Sequence, residues 1–438
     1  MKQKEIDILV NDLIFTDDIK KKQDCLAKIW EIAKSKRIIL SSIHDLYRAR
    51  GRDEIGGFTV PAINLRGLTL HLARAIFRTS LRNDAGAFIF EIAKSEMGYT
   101  NQRPVEYTGV VLAAAIKEGF VGPVFIQGDH FQINAKKFTD DPKKEINSIK
   151  ELIEESVSAG FYNIDIDSST VVDLEKPEIK EQQRQNFETC AQLTKFIRKI
   201  EPEGITISVG GEIGEVGGKN STLEDLRFFM EGYKESLPAD MQGISKISIQ
   251  TGTSHGGVVL PNGSIANVKL DFDTLKNLSE VAKREYGLAG CVQHGASTLP
   301  SEAFHKFPEV ETAEVHLATE FQNMIYENKY FPPELKERIY FWLNKNCSDE
   351  REDEQTEEQF IYKTRKKALG PFKKEIMSLP EELRENIGHD IEAKFDFLFK
   401  QLKVINAKDI VKKYIKPVET KLLIRKGQKA KIDSEGAD

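Results

Sequence analysis

The stretch PVFIQGDH, residues 123–130, is a short apolar run that stops on Gly128, Asp129 and His130. A strand with one wet face alternates apolar and polar residues, whereas a strand buried on both faces reads as a continuous apolar run. Seven further runs flank it: Phe58–Asn64, Ala87–Ile92, Tyr162–Asp167, Ile205–Gly210, Ile244–Gln250, Ala289–Gln293 and Ala313–Leu317. Between them apolar residues recur at helical spacing, as in Leu68–Thr79, Lys144–Ala159, Gln182–Lys199, Leu223–Tyr233 and Phe272–Tyr286. Eight strand–helix units over about 270 residues have the number and size of a (β/α)8 TIM barrel. An open doubly wound sheet favours a glycine-rich turn after its first strand, and Asn64-Leu-Arg-Gly67 supplies none.

Outward from the barrel the rhythm changes. The pattern predicts an N-terminal helical extension over 1–55, the barrel over 56–330 and a C-terminal helical extension over 331–438. Ile6, Leu9, Val10, Leu13 and Ile14 form one apolar helix face, and Leu26, Ile29, Trp30 and Ile32 a second, while Arg48–Gly57 reads as a loop. Beyond the barrel, Ser348–Gln359 is a charged run suited to a solvated helix face or a mobile connection. Helices are predicted at Leu379–Ile387, Asp390–Leu402 and Asp409–Tyr414, followed by a polar, fraying tail over Lys416–Asp438.

The composition narrows the possible functions. Of 438 residues, 40% are hydrophobic and 30% charged, which suffices for a large core and excludes general disorder. Sixty-three basic residues against 69 acidic ones give a net charge of −6, a poor balance for nonspecific nucleic-acid binding. No stretch has the length of a membrane span, and the N-terminus lacks the order of a signal peptide. The four cysteines form no Cys-x-x-Cys pair, which fits a reducing compartment, and a cytoplasmic protein is expected.

Chemistry in a (β/α)8 barrel sits at the C-terminal strand ends. Of the chain's eight histidines, His130, His255, His294 and His316 fall there. Three imidazoles converging from different strands form a reasonable zinc site, so His130, His255 and His294 are predicted as ligands. His316 stays open between ligand and hydrogen-bonding core residue, while His44, His71, His305 and His389 read as structural. Asp129 precedes a proposed ligand, and the two side chains are expected on different sides of the backbone. Asp129 is then either a general acid/base or a partner that orients an imidazole, with the proton-carrying role preferred. Glycines beside His255 and His294, with Ser297 and Thr298, allow main-chain amides and hydroxyls to meet an anion.

These motifs, taken together, resemble one family. Gln127-Gly-Asp-His130, Gly211-Glu-Ile-Gly-Glu-Val-Gly-Gly218, Thr253-Ser-His-Gly256 and His294-Gly-Ala-Ser297 follow the order and spacing of the class II, metal-dependent fructose-bisphosphate aldolases. Phe58–Asn64 resembles that family's first strand, and the likeness runs from about Phe58 to Tyr326. The resemblance implies zinc-dependent retro-aldol cleavage of a ketose phosphate by a homodimer or homotetramer. It implies His130, His255 and His294 as zinc ligands, with Asp129 moving the proton of the hydroxyl at the breaking bond. Asp165 and Glu212 fall where the family keeps acids near alternative metal positions. Ser297 with the main chain at Gly256 and Gly295 would cradle a phosphate, and Asn64 would lie near the reacting carbons.

The chain also departs from the family pattern. Lys219-Asn220 follows Gly217-Gly218 where the family has acids, and Glu215 is a possible substitute. His316-Leu-Ala-Thr319 replaces Asn-x-Asp-Thr, so only Thr319 remains for substrate and phosphate. Glu91-Ile-Ala-Lys94 stands where a serine is usual, and Lys94 is either an anion contact or exposed. Competing readings are a metal-dependent sugar epimerase on the same barrel, or a non-catalytic aldolase-like partner subunit.

Overall fold

In a computed structural model, residues 3–214, 219–252, 259–261, 266, 270–423 and 432 are described. Nine parallel strands form one sheet: β1 (Ile38–Leu40), β2 (Val60–Asn64), β3 (Ile89–Ala93), β4 (Gly122–Gln132), β5 (Asn163–Asp167), β6 (Ser208–Glu212), β7 (Lys246–Ile249), β8 (Cys291–Gln293) and β9 (Glu314–Leu317). Strands β2 to β9 close on themselves, β2 pairing with β9 and β4 with β5, to give an eight-stranded (β/α)8 barrel. All eight predicted runs become barrel strands.

β4 is the longest strand, at 11 residues, and it holds two positions together. Its first residues, Gly122–Val124, pair outside the barrel with β1, and the rest pair with β3 and β5. Its register against β5 shifts between Gly128 and Phe131, and His130 sits there at φ +38°. This is a β-bulge, a device common beside active sites. A Cβ on residue 128 would run into the Phe131 ring, so the bulge needs glycine at this place.

The N-terminal part differs from its sequence reading. Helices Gln3–Phe15 and Ile19–Ser35 form as expected, but Ile38–Leu40 is a strand. Helix His44–Gly51 runs into the predicted loop, because Arg50 faces inward. Its side chain is fully buried and donates to the carbonyls of Phe58, Ala289 (3.0 Å) and Thr312 (3.0 Å), tying off the N-terminal ends of three strands.

In the C-terminal part the two predicted helices merge into one, Glu381–Gln401. Gly388 does not break it, because the glycine lets that helix lie against the main chain of His71. Ile387, Ile391, Phe395, Leu398 and Phe399 are buried, Phe395 meeting Phe321 at 4.9 Å and Phe399 meeting Phe88 at 5.5 Å between ring centroids. The charged run holds a short 3-10 turn and leads into helix Glu357–Thr364, capped by Thr356 and Gln359. The start of the tail is tied down rather than frayed: Thr420 accepts from Trp30 Nε1 through its carbonyl (3.4 Å), and its hydroxyl bonds Tyr162 (2.8 Å).

Candidate functional site

The bulge brings Asp129 and His130 to the same interior. A regular strand would send them to opposite faces, as the sequence suggested. The left-handed backbone at His130 turns its ring back, and both side chains are buried, with His130 Nε2 4.0 Å from Asp129 Oδ1. His294, just past β8, completes the group: ligand atoms of Asp129, His130 and His294 all lie within 4.8 Å of one another. The His130 and His294 ring centroids are 4.0 Å apart.

Each member is held from behind. His130 Nδ1 meets Asp167 Oδ2 at 3.0 Å and Glu212 Oε2 at 3.4 Å. Asp167 accepts in turn from the Ser169 hydroxyl (2.7 Å), the Ser169 amide (3.1 Å) and Gln132 Nε2 (2.7 Å). A carboxylate on Nδ1 fixes the imidazole tautomer and leaves Nε2 to coordinate. His294 Nε2 meets Ser248 Oγ at 3.0 Å. Asn64 Nδ2 donates to Asp129 Oδ2 (3.0 Å) and to Glu96 Oε2 (2.7 Å). Two imidazoles brought together in a buried pocket, with a carboxylate beside them, suit a borderline divalent ion such as zinc.

The other predicted residues fall in three places. Glu212 stands beside His130, as above. Ser297 Oγ accepts from the Ala318 amide at 2.6 Å, and Thr319 Oγ1 accepts from Arg66 Nη1 at 3.3 Å, so the ends of β8 and β9 share one corner. Gly295 takes a left-handed φ of +66° to open the short turn Ala296–Thr298. Asp165 does not join the Asp129–His130–His294 group; Lys246 Nζ holds its Oδ2 at 2.9 Å. His255, Gly256 and Glu215 lie outside the described residues. Lys94 is not exposed: it is buried, donates to the Gln132 carbonyl (2.9 Å), and the anion it meets is the chain's own Glu145 carboxylate at 3.6 Å.

Sequence reasoning passed over a second layer inside the barrel. Lys246 Nζ also donates to Gln127 Oε1 (2.8 Å) and to Glu314 Oε1. Gln127 Nε2 donates to Glu91 Oε2 (2.9 Å) and Glu314 Oε1 (2.8 Å), and Tyr47 donates to Glu314 Oε2. His316 links the layers: its Nε2 meets Glu314 Oε1 at 2.7 Å, and its Nδ1 meets Asp129 Oδ1 at 3.0 Å and Glu91 Oε1 at 3.2 Å. Its ring centroid lies 4.0 Å from that of His294. The available signal was a charged residue inside a run otherwise apolar enough to be buried, as with Glu91, Lys246 and Glu314.

These groups set one another's protonation. Burial works to raise the Asp129 carboxyl, but His130 and His316 outweigh it and hold it well below its usual range. Burial works against charge on His130 and His316, yet the surrounding carboxylates raise both well above an ordinary imidazole. Burial pushes Glu212 up to about 7 and Asp165 up to about 6. Glu314 feels the same burial, but Lys246 and His316 bring it down to about 2.

Comparison with known proteins follows the same line. No curated protein matches the chain. The solved structure of a probable tagatose 6 phosphate kinase from Sinorhizobium meliloti 1021 is similar, with 16% identity, 81% of this chain and 99% of that one covered, and a TM-score of 0.54. That likeness is one of fold. The fructose-bisphosphate aldolase structure from Campylobacter jejuni matches with 19% identity over 84% of this chain and 96% of that one, at a TM-score of 0.49. The family model described as class-II fructose-bisphosphate aldolase matches residues 52–387, well over half of the sequence, and the chain belongs to that family.

Proposed function

We propose that this protein is a zinc-dependent aldolase that reversibly cleaves a ketose phosphate, such as fructose 1,6-bisphosphate, into dihydroxyacetone phosphate and an aldehyde. The observation that carries this reading is the Asp129 carboxylate, tethered by Asn64 at 3.0 Å and grouped with His130 and His294. His130 and His294, with His255, would hold the ion. When bound, the ion would supply Lewis-acid stabilisation of the negative charge that develops beside the carbonyl as the carbon–carbon bond breaks.

The chain's own residues do the rest. Asp129 takes the proton from the hydroxyl at the breaking bond, and Asn64 keeps its Oδ2 pointed at the reacting carbons. Ser297, Thr319 and the amides at Gly295 and Gly256 hold the phosphate. Glu212 and Asp167 keep His130 in its coordinating tautomer. Burial of Asn64, Asp129, His130, Asp167, Glu212 and His294 excludes bulk water and strengthens the contacts among them. The division into helical extensions over 1–55 and 331–438 around a catalytic barrel belongs to this reading. So do action in the cytoplasm, where the four buried free cysteines would stay reduced, and assembly into a homodimer or homotetramer.

The test is incubation of the purified, zinc-loaded chain with fructose 1,6-bisphosphate and a panel of ketose phosphates, with dihydroxyacetone phosphate read by a coupled assay. Release of that triose at a rate abolished by chelator supports the proposal. Conversion of a ketose phosphate to its epimer without triose release would replace it with epimerase chemistry. Inertness toward the whole panel in metal-loaded protein would favour a non-catalytic subunit.

A further inference from the structure

We propose that the barrel holds a second divalent cation, bound by Glu91, His316 and Asp129 beside the first centre. The argument begins with the tautomer of His316. Its Nε2 faces the Glu314 carboxylate at 2.7 Å and must donate there. In a neutral ring that leaves a lone pair on Nδ1, which points at two carboxylate oxygens, Asp129 Oδ1 at 3.0 Å and Glu91 Oε1 at 3.2 Å. Lone pairs facing one another at that distance repel, so something positive belongs between them: a metal ion, a second proton on the ring, or a proton on Glu91, whose carboxyl is pushed well above its usual range by burial and Asp129. Two ligands on a tetrahedral ion with bonds of about 2.0–2.1 Å lie about 3.3 Å apart, close to the spacing found.

A second observation points to the same place. Glu91 is fully buried, and its Oε1 has no hydrogen-bond donor, although Gln127 serves Oε2 at 2.9 Å. The neighbouring triad of Asp165, Glu314 and His316 could also hold an ion, but the Lys246 ammonium already lies between Asp165 and Glu314. The lysine thus fills the deeper position and leaves the one at Glu91. Asp129 would offer Oδ1 alone, keeping Oδ2 beside Asn64 for the proton it carries.

The charge in the barrel asks for this ion. Six carboxyl groups, of Glu91, Asp129, Asp165, Asp167, Glu212 and Glu314, are buried around the ammonium of Lys246 and the imidazoles of His130, His294 and His316. Unpaired buried charge is costly, and such groups bind cations or take up protons. A divalent ion at each of the two places would supply the compensation that protons otherwise give. Two carboxylates and one imidazole suit Mn²⁺ or Zn²⁺.

The test counts ions and does not depend on turnover. Chelator-stripped full-length protein is dialysed against Mn²⁺ or Zn²⁺ at rising free concentration, and bound metal is measured per chain for the parent, Glu91→Gln, His316→Asn and His130→Ala. The expected result is two ions in the parent. Glu91→Gln and His316→Asn should each weaken one ion at least about tenfold while leaving the other. His130→Ala should lose the ion that those variants keep. Two different substitutions guard against one failing to fold, with circular dichroism as the check. Electron paramagnetic resonance of the Mn²⁺-saturated parent should show coupled spins, because the two sites adjoin, with the His294 and His316 ring centroids 4.0 Å apart.

A parent that saturates at one ion, with unchanged affinity in Glu91→Gln and His316→Asn, overturns the second site and assigns its place to a proton shared by Glu91 and His316. That outcome leaves the aldolase reading standing if triose is still released. Two ions without any cleavage would keep this site and overturn the aldolase.

Discussion

The decisive residue-level event is the bulge at Asp129-His130. It places an acid and an imidazole, neighbours in sequence, on the same side of the strand, where a regular strand would part them. The roles stay separable by mutation. His130→Ala should cut affinity for the first ion steeply and abolish activity with it, as read by metal content and kinetics. Asp129→Asn should keep that ion and slow turnover by roughly 10²–10⁴-fold, with a smaller change in KM. Loss of the first ion in Asp129→Asn would instead make the aspartate one of its ligands. Away from the site, burial, with Arg198 and Arg48 nearby, lowers His44 from an ordinary 6.5 to about 3. Between those values the unfolded chain binds the extra proton, so stability is full above about pH 6.5 and is lost as pH falls toward 3. The slope contributed is at most about 1.4 kcal/mol per pH unit. Urea unfolding of the parent and His44→Gln near pH 5 and near pH 7 should show a shallower pH dependence in the variant. Equal dependence would mean that His44 is not the group responsible.

At the scale of elements, strands were more legible than helix boundaries. Each barrel strand announced itself as an apolar run, because both of its faces are covered. Strand β1 did not: three residues, Ile38–Leu40, carry too little pattern, and they form a strand only because β4 reaches out to pair with them. The helices predicted at Leu379–Ile387 and Asp390–Leu402 are one, because Gly388 between them is a packing glycine. Helix Glu381–Gln401 lies along helix Thr69–Arg82, with Arg74 and Arg78 paired to Glu385 and Glu392 above the buried row from Ile387 to Phe399. The half-buried pairs add little beside that row, whose five large side chains are worth about 1.5–3 kcal/mol each. That sum rivals the roughly 5–15 kcal/mol that stabilises a whole domain. A chain ended after Leu379 should therefore be insoluble or lose cooperative unfolding, as seen by calorimetry and gel filtration. An unchanged melting temperature would show that the helix is dispensable.

For the molecule as a whole, bound metal and folding are linked. An ion that binds only the folded barrel stabilises it by about 2.7 kcal/mol at a hundred times its Kd, equivalent to a rise of roughly 3 °C in Tm for a chain of this size. Calorimetry before and after chelation, and after zinc is restored, checks this; a Tm indifferent to metal would mean no ligand set is formed in the folded state. The sequence by itself determined the barrel and the polar residues gathered at its strand ends. Covered strands must read as apolar, and polar residues collected at their ends are too costly to bury without a purpose. It also carried the likeness to class II aldolases at Gln127–His130 and His294–Ser297. Only the tertiary structure decided which polar groups meet. The bulge overrode the alternation of the strand, Asp165 met Lys246 on β7 and not His130 or His294, and Glu91, Asp129 and His316, from three different strands, came within reach of one cation. Such encounters depend on the register and closure of the sheet, which bring together residues up to 225 positions apart (Glu91 to His316), a distance no local pattern encodes.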